Sequence, residues 1–181
     1  MSEAPVVIRK EAFYPHEPQR VWAAITDGQA LAHWLMPNTF KPVLGHEFRF
    51  QFDPMPMLPG NVVDCKVLEL DPPRRMVWSW STPVAPGKRR WPDQQIEWTL
   101  TPKGNGTLLI LEQRRIGSEP PPGFIFKLMM SHGWKTMLNR WLPKVIDATE
   151  PTPTGYAYRK LSKAPNRGHH GTKTLPPEFF K

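Results

Sequence analysis

The sequence predicts a single α+β domain, in which a curved, mainly antiparallel sheet wraps a long C-terminal helix. Three observations carry this reading. A stripe through Phe124, Leu128, Ser131, Trp134, Leu138, Trp141 and Val145 recurs at intervals of three and four residues, which places it along one helical face. Upstream lie strand-like runs with tryptophans of their own, at residues 76–80 and 96–100. The other helical patterns are two short segments near the N-terminus, so helices and strands are segregated.

In order, the first strand is expected at residues 6–14, bounded by Pro5 and Pro15. Residues 16–25 follow as a short helix, with Pro18 in the first turn, where a missing N–H costs nothing, and Val21, Trp22 and Ile25 on one face. Asp27 can N-cap a second short helix over residues 28–34. Phe48, Phe50 and Phe52 alternate with polar neighbours, the pattern of a half-buried strand. Residues 54–60, rich in Pro and Met, read as a loop. Strands are expected at 62–70 and 76–81, joined by the turn at 71–74. Residues 82–92 form a long basic loop, and 94–101 and 107–115 a hairpin around 102–106.

Residues 116–123 make a proline-rich linker into the final helix. Pro143 removes the hydrogen bond to the carbonyl of Asn139, so the helix should kink or end there. After Glu150 the apolar pattern dissolves, and residues 151–181 read as a flexible basic tail following a domain at 1–150. Docking of the Phe179–Phe180 pair on the body is the alternative.

The chain has 181 residues, enough for one sizeable core. No secretory pattern opens it, no run approaches the roughly 20 apolar residues of a membrane span, and Cys65 has no partner; these point to a cytoplasmic protein. Cys65 lies in an apolar alternation and reads as a small buried residue. Residues 151–181 carry six of the 24 Lys and Arg and one of the 16 acids, and so five of the eight net positive charges. The body is close to ordinary, which argues against specific nucleic-acid binding.

Chemistry-bearing motifs are scarce. There is no His-Glu-x-x-His, no Cys-x-x-Cys and no phosphate-binding loop, so no metal or cofactor is expected. His169–His170 has no further ligands at useful spacing. His33 beside Trp34, and His132 beside Trp134, are the histidines to examine. In the hairpin, Leu108/Ile110/Glu112 and Leu109/Leu111/Gln113 compete for the inward face, since a shift of one residue swaps them. Glu112 beside Arg114 would be an anchoring or acid–base site if it pointed inward, and the residues leave this open.

An ordered set of landmarks runs Arg9, Phe13, Val21-Trp22, Thr26-Asp27, Trp34, Gly45-His-Glu-Phe48, Gly60, Glu69, Trp78-Ser-Trp80, Gly106-Thr107 and Gly133-Trp134. It resembles the START-like (SRPBCC) superfamily over residues 6–149, and within it the branch of the domain shared with the activator of heat shock protein 90 ATPase. The resemblance implies a helix-grip fold, with six or seven strands gripping the long helix around a hydrophobic cavity. It also implies Leu109 and Leu111 inward, which alone sends Glu112 out. The chain departs from that pattern in the apolar 54–60 loop, the long 82–92 loop and the basic tail, so no ligand class is carried over.

In such a fold Trp34, Trp80, Trp98 and Trp134 would converge. The candidate ligand-binding residues are therefore His33, Trp34, Phe50, Trp80, Trp98, Met130, Trp134 and Leu138, around a small hydrophobic or lipid-like molecule. Leu142 and Val145 would seal the base. Two alternatives belong to other classes: a co-chaperone-like partner acting on a heat-shock ATPase through its surface, and a cyclase- or hydrolase-type enzyme using His33, Glu112 or Arg114. The oligomeric state is left open.

Overall fold

The computed structural model describes residues 5–54, 60–83, 93–116, 124–169 and 171–180. Six antiparallel strands form one sheet in the order β1-β6-β5-β4-β3-β2. These are β1 (Val6–Tyr14), β2 (Glu47–Gln51), β3 (Val62–Asp71), β4 (Arg75–Trp80), β5 (Gln94–Lys103) and β6 (Gly106–Arg115). Between β1 and β2 run α1 (Pro18–Thr26) and α2 (Gly28–Trp34); the Asp27 carboxylate accepts from Ala30 N at 2.8 Å and caps α2. The expected core of the 54–60 loop and most of the 82–92 and 116–123 segments lie outside the described residues.

Strand alternation divides the sheet into two chemistries. One face carries Phe48, Phe50, Cys65, Met76, Trp78, Trp98, Leu109 and Leu111, all buried. Burial also pushes the Cys65 thiol well above its ordinary pKa, as a small core residue requires. The other face carries a cross-strand ion ladder. Arg9 bonds Glu112 at 3.1 Å, Glu112 pairs with Arg114, Arg114 reaches Glu97 at 3.4 Å, and Arg75 bridges Glu97 at 2.9 Å and Glu69 at 2.6 Å. The hairpin register is thereby fixed, with Trp98 opposite Leu111 and Glu97 opposite Glu112. Glu112 and Arg114 thus lie on the side of the sheet opposite the core.

The C-terminal helix crosses the core face as α3 (Phe124–Thr136), a π-helical turn (Met137–Trp141) and α4 (Leu142–Asp147). Pro143 neither ends nor simply kinks it. The π turn shifts the hydrogen-bond register, so that Leu142 N–H bonds to Met137 O, and α4 restarts with Pro143 in its first turn. In the shifted register the next donor, at position 143, does not exist. The Leu138 carbonyl is satisfied instead by the buried Tyr14 hydroxyl at 2.7 Å. Trp134, Leu138, Trp141 and Val145 of the stripe are buried, and so is Leu142 beside them. Phe124 and Leu128 are not: they are 79% and 58% exposed, because the first turns of α3 stand away from the sheet.

The segment expected to be a flexible tail is ordered on the body. Thr149–Thr152 and Gly155–Tyr158 form a hairpin, β7 and β8, and residues 159–169 and 171–180 then run along α2 to a short 3-10 turn, Pro177–Phe180. Arg20 donates to the carbonyls of Ile146, Asp147 and Thr149 and ties α1 to the start of this segment. Asn166 Nδ2 donates to Ala32 O at 2.9 Å and Leu35 O at 3.0 Å, carbonyls that the short α2 leaves open at its C-terminal end. The Asp53 carboxylate accepts from the backbone N–H groups of Lys173 and Thr174 and from the Thr174 hydroxyl. Phe180 is buried with Ala164 and Leu175 beneath the Arg167 guanidinium, while Phe179 stays partly exposed. The physical reason is polar: these residues complete backbone groups of the body, which apolar periodicity does not report.

His33 is the central clasp of this contact. Its Nε2–H donates to Phe180 O at 3.2 Å, and its Nδ1 accepts from the Tyr158 hydroxyl at 2.8 Å. Burial pushes its pKa below the ordinary histidine value; Lys160 adds to the effect, while the Phe180 carbonyl and Asp27 oppose it.

Two outcomes follow for the docked segment. Replacing Asp53 with Ala strands two backbone donors and should lower stability by about 2 kcal/mol in denaturant unfolding, and speed tryptic cleavage after Arg167. Unchanged cleavage would show that this carboxylate does not hold the segment. A depressed histidine pKa gives stability that is complete above about pH 6.5 and is lost as pH falls toward the folded value, because the unfolded chain takes the proton first. Thermal midpoints measured from pH 7 to pH 5 should fall more steeply for the wild type than for His33→Gln; parallel profiles would refute this.

Candidate functional site

A cavity of about 370 Å³ opens between the sheet, the middle of the long helix and the docked C-terminal segment. That volume lies in the roughly 300–1,000 Å³ range of small-molecule sites. Its apolar wall comes from Leu35, Met36, Phe52, Val63, Trp80, Met129, Met130, Trp134, Met137 and Trp141. The C-terminal segment contributes Asn166, His169, Gly171 and Thr172, and the His169 ring packs edge-on to Trp141 with centroids 4.3 Å apart.

The space exists because of how the elements diverge. Trp134 turns inward from α3 while the exposed turns before it leave the sheet. Gly133 faces the cavity, and a Cβ built there would meet nothing within 4 Å. A side chain at that position would occupy the space, whereas glycine leaves it open and weakens the helix.

The candidate residues separate by depth. Trp80, Met130 and Trp134 line the cavity. Trp98 lies behind them, edge-to-face with Trp134 at 5.7 Å and with Trp34 at 5.8 Å; Trp80 meets Trp134 at 6.1 Å. The four tryptophans therefore converge in one connected layer. Trp34, Phe50, Trp98 and Leu138 fill the core and do not line the space, and His33 clasps the C-terminal segment. His132 stands at the cavity wall.

The amides of the wall, Gln94, Gln113 and Asn166, leave no motif in the sequence, although Gln113 belongs to one of the two competing strand faces. Gln113 is 1% exposed and its Oε1 accepts from Trp134 Nε1 at 2.8 Å; its Nε2 donates to Gln94 Oε1. An indole N–H only donates, so this chain of bonds has a fixed direction. Among the described residues, no Asp, Glu, Lys or Arg lines the cavity and no cluster of His, Cys, Asp and Glu could hold a metal ion. Nor is any described helix long and apolar enough to cross a membrane. The arrangement suits recognition of a neutral molecule by shape and hydrogen bonding. Glu112 and Arg114, the acid–base candidates, are outside it.

Comparison with known proteins agrees with this geometry. Protein MLL2253 from Mesorhizobium loti is 28% identical, with a TM-score of 0.67 over 80% of this chain and 98% of its own. CalU16 from Micromonospora echinospora is 27% identical, with a TM-score of 0.54 over 72% of this chain and 70% of its own. The Aha1 dimer from Colwellia psychrerythraea shares the fold at 18% identity and a TM-score of 0.56, over 72% of this chain and 90% of its own. No curated protein matches the chain. Residues 15–146 match the model of the activator of Hsp90 ATPase homolog 1-like proteins, and the chain belongs to that family, with the START-like helix-grip fold.

Proposed function

We propose that the protein is a non-catalytic binding module that holds a small, largely apolar molecule between its sheet and its long helix. The observation that carries this reading is the cavity of about 370 Å³, walled by Trp80, Trp134, Trp141 and methionines, with a few fixed amides among them. A pocket of that make-up matches the general form of small-molecule sites. Methionines at Met129, Met130 and Met137 let the wall adapt to shape, since the thioether chain is unbranched and polarizable.

The acid–base alternative has less support, because Glu112 and Arg114 are engaged in the ion ladder on the far face. Action on a heat-shock ATPase is named in the family's description alone. The cavity is the firmer ground.

Two measurements test the reading. Native mass spectrometry of freshly purified protein should reveal a co-purified small molecule. N-phenyl-1-naphthylamine, a neutral probe that brightens in apolar surroundings, should bind saturably at one site. Gly133→Leu should weaken that binding at least tenfold, while better helix propensity raises stability by roughly 0.5–1 kcal/mol. Probe binding that is unsaturable, or indifferent to Gly133→Leu, would remove the proposal.

A further inference from the structure

The cavity holds a buried acceptor with nothing to accept. Asn166 is 1% exposed and lines the cavity, and its Oδ1 has no hydrogen-bond partner. The orientation of its amide is not arbitrary. Nδ2 spends both hydrogens on Ala32 O and Leu35 O, at 2.9 and 3.0 Å, and the reversed amide would set oxygen against two oxygens. With Nδ2 turned toward α2, Oδ1 is turned away from it. An unpaired buried acceptor costs about 1–3 kcal/mol, which a bound partner would recover.

The opposite polarity is presented from the sheet. Trp134 Nε1 donates to Gln113 Oε1, which turns Gln113 Nε2 toward Gln94 Oε1. The bond direction set by the indole therefore makes Gln94 Nε2 the donor end of this chain. Gln94 is itself buried and lines the same cavity. Between the two amides the wall is aromatic and aliphatic, and no charged side chain among the described residues offers an ion pair.

We propose that Asn166 Oδ1 and Gln94 Nε2 are the two polar anchors of this site, and that its ligand is neutral, mostly apolar, and carries both a hydroxyl or N–H donor and a carbonyl-type acceptor. The inference rests on the cavity being a binding site and specifies what it takes. Asn166 lies outside the residues 15–146 that match the family, so the acceptor comes from a part of the chain that the family match does not cover.

Four naphthalenes of similar size test it by calorimetric titration: 2-ethylnaphthalene as the apolar reference, 2-naphthol, 2-methoxynaphthalene and 2-acetylnaphthalene. 2-Naphthol should bind about tenfold tighter than 2-methoxynaphthalene, and 2-acetylnaphthalene about tenfold tighter than 2-ethylnaphthalene. Gln94→Met should abolish the second preference and keep the first. Asn166→Leu should abolish the first; because that change also removes two bonds that dock the C-terminal segment, the unmodified protein provides a second reading. Its Asn166 side-chain amide resonances should shift with 2-naphthol and not with 2-methoxynaphthalene. Equal binding of all four compounds, or unmoved Asn166 resonances, overturns the anchors and leaves the cavity reading standing. Failure of all four to bind overturns both.

Discussion

Trp98 is the side chain around which this molecule is arranged. It rises from the middle of β5, fully buried, and meets Trp34 of α2, Trp78 of β4 and Trp134 of the long helix, each at 5.4–5.8 Å between ring centroids. Near-perpendicular contacts of this kind contribute about 0.5–1.5 kcal/mol each beyond the area they bury. One ring thereby ties the sheet to both helical layers. It also sets where the cavity can be. Trp98 closes the space behind Trp134, so room remains only on the side where Trp134 faces Trp80 and the helix has turned away from the sheet. The layer carries a cost, because the indole N–H groups of Trp78 and Trp98 find no acceptor. Trp134, at the cavity wall, does find one in Gln113, and that bond gives the wall its polarity.

The long helix meets two demands. Its C-terminal half must pack tightly, with Leu138, Leu142, Val145 and Ile146 all fully buried, while its N-terminal half must stand off. A regular helix with Pro143 in its interior would leave the carbonyl of Asn139, an exposed residue, without its helical donor. The π turn and the Tyr14 hydroxyl resolve this together: the register slips by one residue, and the Leu138 carbonyl that then lacks a donor receives one from β1. Burial pushes the Tyr14 hydroxyl far above its ordinary pKa, which keeps it a donor at any pH the protein meets. Helix, sheet edge and proline are thus one device.

What could be read from residues alone follows from the kind of signal each element leaves. The six strands, the two short helices and the Asp27 cap are legible because apolar period and capping chemistry are local. The outward course of Glu112 is not legible in the residues, because the run 108–111 is apolar on both strand faces. Only the family resemblance, which implies Leu109 and Leu111 inward, pointed to it, and both leucines are buried. Depth is not legible either. Apolar period turns Phe50 and Trp98 of the sheet and Trp134 of the helix inward, and does not say that of the three only Trp134 reaches the cavity. The C-terminal segment is illegible for a different reason. Asn166 and Asp53 act on backbone groups more than 100 residues distant in sequence, through single polar side chains with no periodicity. The late phenylalanines were the visible hint, and Phe180 is the one that is buried.

That illegible segment is also what completes the cavity. Apart from the small cluster of Ala164, Leu175 and Phe180 and the His169–Trp141 ring contact, it is held by hydrogen bonds. These run from a few side chains to backbone and, at Asp53–Gly171 and Asn166–His33, between backbones, an arrangement with little apolar area to oppose the entropy of freeing some twenty residues. Segments held this way open at lower free energy than the cores they cover. The sheet and the aromatic layer form the rigid side of the site, and residues 159–180 the side able to yield. A molecule held against Asn166 would bind the docked arrangement and not the open one, and would stabilise it in proportion to its own occupancy. Entry to the cavity and docking of the C-terminal segment are in that case a single equilibrium, and the histidine clasp at His33 acts on both.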